Sequence, residues 1–225
     1  MKTGMRREII KTSELYLGDC MTLMSKYHDN YFDIAIVDPP YGAGEHHQNN
    51  KQVVNSKGYS YGSREKMRSW DKAPGKEYFN ELFRVSKEQI IFGGNYFELP
   101  PKRNFIIYHK TSIPDGFNFA QCEYAWTSIK GNSKIFSYHF HAKTSLDRFH
   151  PSEKPIALYK WLLSKYAKNG MRILDTHFGS GSIAIACNEM GFGLTASEID
   201  KDYFEAACER IKIAARQYHF EFEGK

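Results

Sequence analysis

Cysteine is scarce in this chain, and what there is lies scattered. Cys20, Cys122, Cys187 and Cys208 form no CxxC pair and no metal-ligand spacing, which argues against a disulfide scaffold or a zinc site and for reduced thiols. No apolar run is long enough to cross a bilayer, and the polar start with Lys2, Arg6, Arg7 and Glu8 has no leader-like apolar core. A cytoplasmic protein with no membrane partner is the expectation. Charge of one sign is not concentrated either: 31 Lys and Arg against 26 Asp and Glu leave a formal charge of +5. That is compatible with a polyanionic partner but does not identify one.

The chain has 225 residues, 41% of them hydrophobic and 15% aromatic, which suits one well-buried domain over residues 1–225. Its most informative stretch is Asp33-Ile34-Ala35-Ile36-Val37-Asp38-Pro39-Pro40-Tyr41. Ile34 to Val37 are β-branched or small, too few for a helix, and read as a buried strand. Pro39 and Pro40 stop it, since neither can donate to a ladder and each holds its predecessor extended. Asp38 is thereby presented at the strand's carboxyl end, the edge where open α/β sheets bind ligands. The Asp38 carboxylate and the bare Pro39 carbonyl can each accept one N–H of a flat amine, while Tyr41 stacks on its ring. Two acceptors set off the ring plane would localise the amine's lone pair for attack on an electrophilic carbon. A plain Asp-Pro β-turn is the structural alternative.

A second strand, Arg172-Ile173-Leu174-Asp175, runs into Thr176-His177-Phe178-Gly179-Ser180-Gly181-Ser182 and an amphipathic helix through Ile183, Ile185 and Met190. Leu194 to Glu198 follows as a strand whose terminal acid can accept both hydroxyls of a ribose. Gly179-Ser180-Gly181-Ser182-Ile183-Ala184 also satisfies the dinucleotide fingerprint, so a nicotinamide oxidoreductase is one competing reading.

Asp38-Pro39-Pro40-Tyr41 resembles the catalytic motif of the DNA amino-methyltransferases, which move a methyl group from S-adenosylmethionine to adenine N6 or cytosine N4. The resemblance extends over most of the chain. It implies an α/β, Rossmann-like methyltransferase fold: a mostly parallel, doubly wound sheet with an antiparallel strand. It implies a catalytic half near residues 11–130, a polar recognition loop near 42–75 and a donor-binding half near 150–217. Asp38, Pro39, Pro40 and Tyr41 would be catalytic. Gly18-Asp19-Cys20 would lie beside the donor's adenine, although Asp19 serves equally as a helix N-terminal acid. His150-Pro151-Ser152-Glu153-Lys154-Pro155 is similar to the family's segment before the donor-binding half, with Pro155 opening a helix through Ile156 to Tyr166. His150 and Lys154 join Asp175, Phe178, Gly179, Ser180, Gly181 and Glu198 as the expected donor contacts, Lys154 as a seat for the donor's carboxylate. Relatives commonly have Asp-Pro-Phe before the glycines and Thr after them. Here the aromatic stands one place later, in Asp175-Thr176-His177-Phe178, and Ser182 follows.

The long polar connection from Gly42 to Gly75 interleaves amides, basic residues and aromatics, as a segment reading base edges and phosphates would. Asn49, Asn50, Lys51, Arg64 and Arg68, with Lys143 and Arg148 from the basic, aromatic segment 131–149, are the expected DNA contacts. His46-His47 point to different faces and have no third ligand, so no metal is expected. Helices are expected over Tyr78–Val85 and 201–217, with a frayed tail after Tyr218. Strands are expected at 15–17, at 90–92, where the following Gly93-Gly94 lets another backbone or a ligand come close, at 105–108, and at 122–129 in an antiparallel hairpin whose Glu123, open to a reading as a buried acid beside the site, is taken as an ordinary structural acid. Adenine N6 is favoured over cytosine N4 because the motif begins with Asp38 rather than Ser. A catalytically silent DNA binder of the same fold is a further alternative. None of the cysteines follows a proline in a comparable turn, so the thiolate chemistry of cytosine C5 is set aside. DNA is the expected partner, and a homodimer is left open.

Overall fold

The computed structural model describes residues 5–42, 72–117, 120–139, 150 and 153–223, with side chains to residue 217. The two halves meet in a nine-stranded sheet, order β1-β2-β9-β8-β3-β4-β6-β5-β7. Along the chain these are β1 Arg6–Ile10, β2 Ser13–Leu17, β3 Phe32–Val37, β4 Ser86–Phe92, β5 Phe105–Lys110, β6 Cys122–Thr127, β7 Lys134–Tyr138, β8 Arg172–Asp175 and β9 Gly193–Glu198. The central strands β2, β9, β8, β3 and β4 are parallel. Two strands, β1 and β6, run against the rest, where one was expected.

Among the described residues the α-helices are α1 Cys20–Met24, α2 Lys76–Val85, α3 Ile156–Tyr166, α4 Ser182–Met190 and α5 Lys201–Glu223. They cover both faces, and the strand alternation says which. Ala35, Val37, Ile91 and Leu174 pack with Leu23 of α1 and Phe79 and Leu82 of α2. Ile34, Ile36, Ile90 and Ile173 turn to Leu158 and Leu162 of α3, Ile183 of α4 and Phe204 and Ile211 of α5. Because side chains alternate with period 2 along a strand, one apolar run feeds two cores. A fully buried leucine such as Leu82 contributes about 2–3 kcal/mol.

The chain leaves β3 for β4 on one side and β8 for β9 on the other, while β3 and β8 are neighbours paired Ile34 to Ile173 and Ala35 to Leu174. The sheet's switch point therefore lies between the carboxyl ends that carry Asp38 and Asp175, and ligands of such sheets bind there.

Three elements differ from the sequence reading. β1 was not expected because it is mostly charged; it is an edge strand held by β2 pairing and by ion pairs from Arg7 to Glu14 (2.7 Å) and Arg6 to Glu205 (3.0 Å). β7 lies inside the segment assigned to DNA recognition, and its Phe136 ring packs 5.4 Å from Trp161 of α3. The last helix continues to Glu223 through the tail expected to fray.

Candidate active site

The corner after β3 is built from four side chains. Asp38 is 12% exposed, and its Oδ1 accepts the Tyr41 hydroxyl at 2.6 Å while Oδ2 accepts from Lys154 Nζ. The Tyr41 ring is stacked on Tyr96 at 5.0 Å and 13°. Directly after β4, Gly93 has φ of 67°, and a Cβ there would fall 2.2 Å from Tyr41 Cε1. Gly93 is thus the residue that lets the Tyr41 ring occupy its place.

Lys154 is 3% exposed and lies 3.2 Å from Glu123 Oε2, whose other oxygen is 2.6 Å from Lys110 Nζ. Burial alone would discharge Lys154, but the carboxylates of Asp38 and Glu123 outweigh it and hold the ammonium above its ordinary range. Burial likewise works against Glu123, yet Lys154 and Lys110 draw its carboxyl down to about 2. For Asp38 burial prevails and pushes the carboxyl up, Lys154 opposing it.

The second half of the site is the turn after β8. Asp175 is buried and accepts the His177 N–H at 2.9 Å, and burial pushes its carboxyl up to about 8. Thr176 Oγ1 is 2.6 Å from the Tyr78 hydroxyl and 2.9 Å from His177 Nδ1. On the other side of that imidazole, Nε2 is 4.0 Å from Cys20 Sγ. Gly179 and Gly181 have φ of 48° and 77°, and a Cβ on Gly181 would lie 2.8 Å from Ile211 Cδ1. The Gly179 N–H donates to Glu198 Oε2 (3.1 Å), the Asp200 N–H to Oε1 (2.9 Å), and the Gly18 N–H to the Glu198 carbonyl (2.8 Å). The ends of β2, β8 and β9 are thereby tied into one edge. Arg210 of α5 braces the turn from behind, donating to the Ser180 carbonyl (2.8 Å) and Ser182 Oγ (3.0 Å) and pairing with Glu153 at 2.8 Å.

A family model described as DNA methylase matches residues 107–209, from β5 into α5 and across the glycine turn. The type II methyltransferase M.HpaI of Haemophilus parainfluenzae is 22% identical over 88% of this chain and 73% of that protein. A putative methylase, YubD of Escherichia coli, is 23% identical over 91% of this chain and 92% of its own. Among solved structures, the M1.HpyAVI–SAM complex superposes with TM-score 0.58 at 17% identity, covering 88% of this chain and 99% of that one. The cytosine-N4-specific PvuII DNA methyltransferase gives 0.56 at 11% identity, with 92% of each chain covered. Over residues 107–209 the chain is similar to the N6/N4 DNA methylases, and it has the fold of these solved methyltransferases.

The expected catalytic residues Asp38 to Tyr41 and the expected donor residues Asp175, Gly179, Ser180, Gly181 and Glu198 sit at one sheet edge. Three others have different surroundings from those expected. The Phe178 ring is in the core, 6.0 Å from Phe204, because the residue after His177 faces inward; half-buried His177 is the ring beside Cys20 instead. Lys154 does not stand free for a ligand carboxylate but is engaged by Asp38 and Glu123. His150 is 9% exposed, packs 4.5 Å from Tyr203 and would touch any Cβ added to Gly179 at 3.1 Å, so it backs the turn. Asp19 has the helix N-terminal role that was one of its two expected readings, capping α1 by accepting the Thr22 N–H at 2.8 Å. The expected DNA contacts Asn49, Asn50, Lys51, Arg64, Arg68, Lys143 and Arg148 lie outside the described residues. Sequence reasoning weighed Glu123 as a buried acid beside the site and preferred a structural role, and it missed Lys110, His177 and Tyr96. For Glu123 a signal was present: an acid within the apolar alternation of a strand that ends next to the site. Among the described residues no group of His, Cys, Asp or Glu is placed to hold a metal ion, and no helix is long and apolar enough to cross a membrane.

Proposed function

We propose that this chain methylates the exocyclic amine of a DNA base, adenine N6 by preference, using S-adenosylmethionine. The observation that carries this reading is the meeting of two strand ends at the switch point, one bearing Asp38 and Tyr41, the other the glycine turn. The turn's fit to a nucleoside rests on its own geometry. Gly179 and Gly181 take left-handed φ values that side chains disfavour, and the Glu198 carboxylate is fixed beside them by two backbone amides with lone pairs left for ribose hydroxyls. The donor, when bound, supplies an electrophilic methyl carbon.

The chain's own residues do the rest. An amine inside a duplex cannot reach this edge, so the base must leave the stack, at a cost of a few kcal/mol that contacts to DNA offset. Asp38 and the Pro39 carbonyl accept the two amine hydrogens, and Tyr41 supports the ring face. Most of the rate gain in this reading is positioning. When the nitrogen has gained its methyl it must shed one proton, and the Asp38 carboxylate that already holds that hydrogen is its first acceptor. The preference for adenine is supported by Asp38 at the head of the motif; cytosine N4 is the second reading, favoured by the likeness in fold to a cytosine-N4 enzyme.

The test is to incubate the protein with unmethylated DNA and methyl-labelled donor, digest to nucleosides and identify the labelled base. N6-methyladenine is expected. Label on cytosine N4 would replace the base assignment, and DNA binding without label would leave a silent binder. Asp38→Ala is expected to lower the rate by about a hundredfold or more while S-adenosylhomocysteine still binds.

A further inference from the structure

Four charged side chains alternate in sign from the corner outward: Asp38, Lys154, Glu123 and Lys110. They come from the turn after β3, the entry to α3, β6 and β5, so the series exists only once the sheet has formed. The Lys154 ammonium lies 4.6 Å from the centre of the Phe92 ring and is shared by both carboxylates. Other titratable groups feel Asp38 from the elements around it: Tyr41 from its own turn, Tyr78 from α2, Tyr159 from α3 and Asp175 from β8. All of these are acids or phenols, and among the described residues Lys154 is the cation that meets the carboxylate.

We propose that Lys154 is a positioning residue for Asp38: its ammonium keeps Asp38 a carboxylate and fixes the plane of its oxygens, while Glu123, itself balanced by Lys110, sets how much of that attraction Asp38 receives. The inference rests on Asp38 being the acceptor of the amine hydrogens. A protonated Asp38 would offer an O–H donor where the amine needs an acceptor, and burial favours that neutral form. Lys154 opposes it by charge and by a hydrogen bond. Glu123 acts with the opposite sign, raising Asp38 directly and drawing on the same ammonium.

The experiment compares Lys154→Met, Lys154→Arg and Glu123→Gln with the wild type in three measurements: the pH profile of kcat, S-adenosylhomocysteine binding by calorimetry, and a carbon-13 NMR titration of the Asp38 carboxyl, assigned with Asp38→Asn. In Lys154→Met the acid limb of kcat and the Asp38 titration should both move up by about one pH unit or more, with kcat at pH 7 down by about tenfold or more. Binding of S-adenosylhomocysteine should stay within about twofold, because the change acts on chemistry rather than donor affinity. Lys154→Arg should return the limb toward the wild type, and Glu123→Gln should move it down. Lost donor binding with an unmoved limb would overturn the proposal and make Lys154 a donor seat. If Lys154→Met fails to fold, the direction of the Glu123→Gln shift decides, and an unmoved or raised limb overturns it. If the wild type transfers no methyl, the functional reading fails by itself; the NMR titration still judges Lys154, and an Asp38 titration unchanged in Lys154→Met counts against it.

Discussion

At the scale of single residues, the site depends on atoms that are absent as much as on those present. Gly93 is the clearest case, since a methyl group there would overlap the Tyr41 ring and the backbone already has φ of 67°. Gly93→Ala is expected to fold with a modest loss of stability, about 1 kcal/mol or somewhat more, and to lower kcat by about tenfold or more by displacing Tyr41. Steady-state kinetics beside thermal unfolding would check this; full activity would show that the ring position is unimportant. The pair Gly93-Gly94 was legible in the sequence as a place of close approach. What approaches was not, because Tyr41 lies far away along the chain and reaches Gly93 only through the pairing of β3 with β4.

At the scale of elements, α5 does more than cover the sheet. Its Arg210 reaches from the helix to the Ser180 carbonyl and Ser182 Oγ and pairs with Glu153, the neighbour of Lys154. One guanidinium therefore ties α5 to both the glycine turn and the entry of α3. Removing it takes a charged partner from the Glu153 carboxylate, which is only 13% exposed, and breaking such a part-buried pair costs about 1–3 kcal/mol. Arg210→Met is expected to lower Tm by several degrees and to weaken S-adenosylhomocysteine binding by about tenfold. Calorimetry with unchanged affinity would confine Arg210 to stability. Helical spacing identified α5 from Phe204, Ala207, Ile211 and Ala214, the apolar face. It could not reveal Arg210, which lies off that face and draws its meaning from partners on other elements.

At the scale of the whole molecule, pH acts through groups that burial holds away from their ordinary titration. Burial lowers His150 and His177 from 6.5 to about 4. Between those values the unfolded chain binds protons that the folded one does not, so stability is lost as pH falls from about 6.5 to 4. Asp175 works in the opposite direction, since it is raised to about 8 and stays protonated when folded after the unfolded chain has released its proton. The two histidines outweigh it below pH 6.5, and above that Asp175 acts alone among these three groups. Stability measured by denaturant unfolding should therefore peak near pH 6.5. Asp175→Asn should flatten the decline between pH 6.5 and 8; an unchanged alkaline limb would mean that Asp175 is ionised in the folded protein.

The sequence by itself determined most of the alternation of strands and helices, the two loops that carry the candidate site, and the acceptor groups that Asp38 and its two prolines present. These are local properties: β-branched runs, proline's missing N–H and glycine's freedom act within a few residues. Only the tertiary structure decided that Lys154 answers Asp38, that Glu123 belongs to the site, and that His177 rather than Phe178 faces Cys20. Each of those depends on which strands become neighbours and which way a side chain turns at a strand's end. A contact such as Lys154 to Asp38, 116 residues apart in sequence, leaves no periodicity to read.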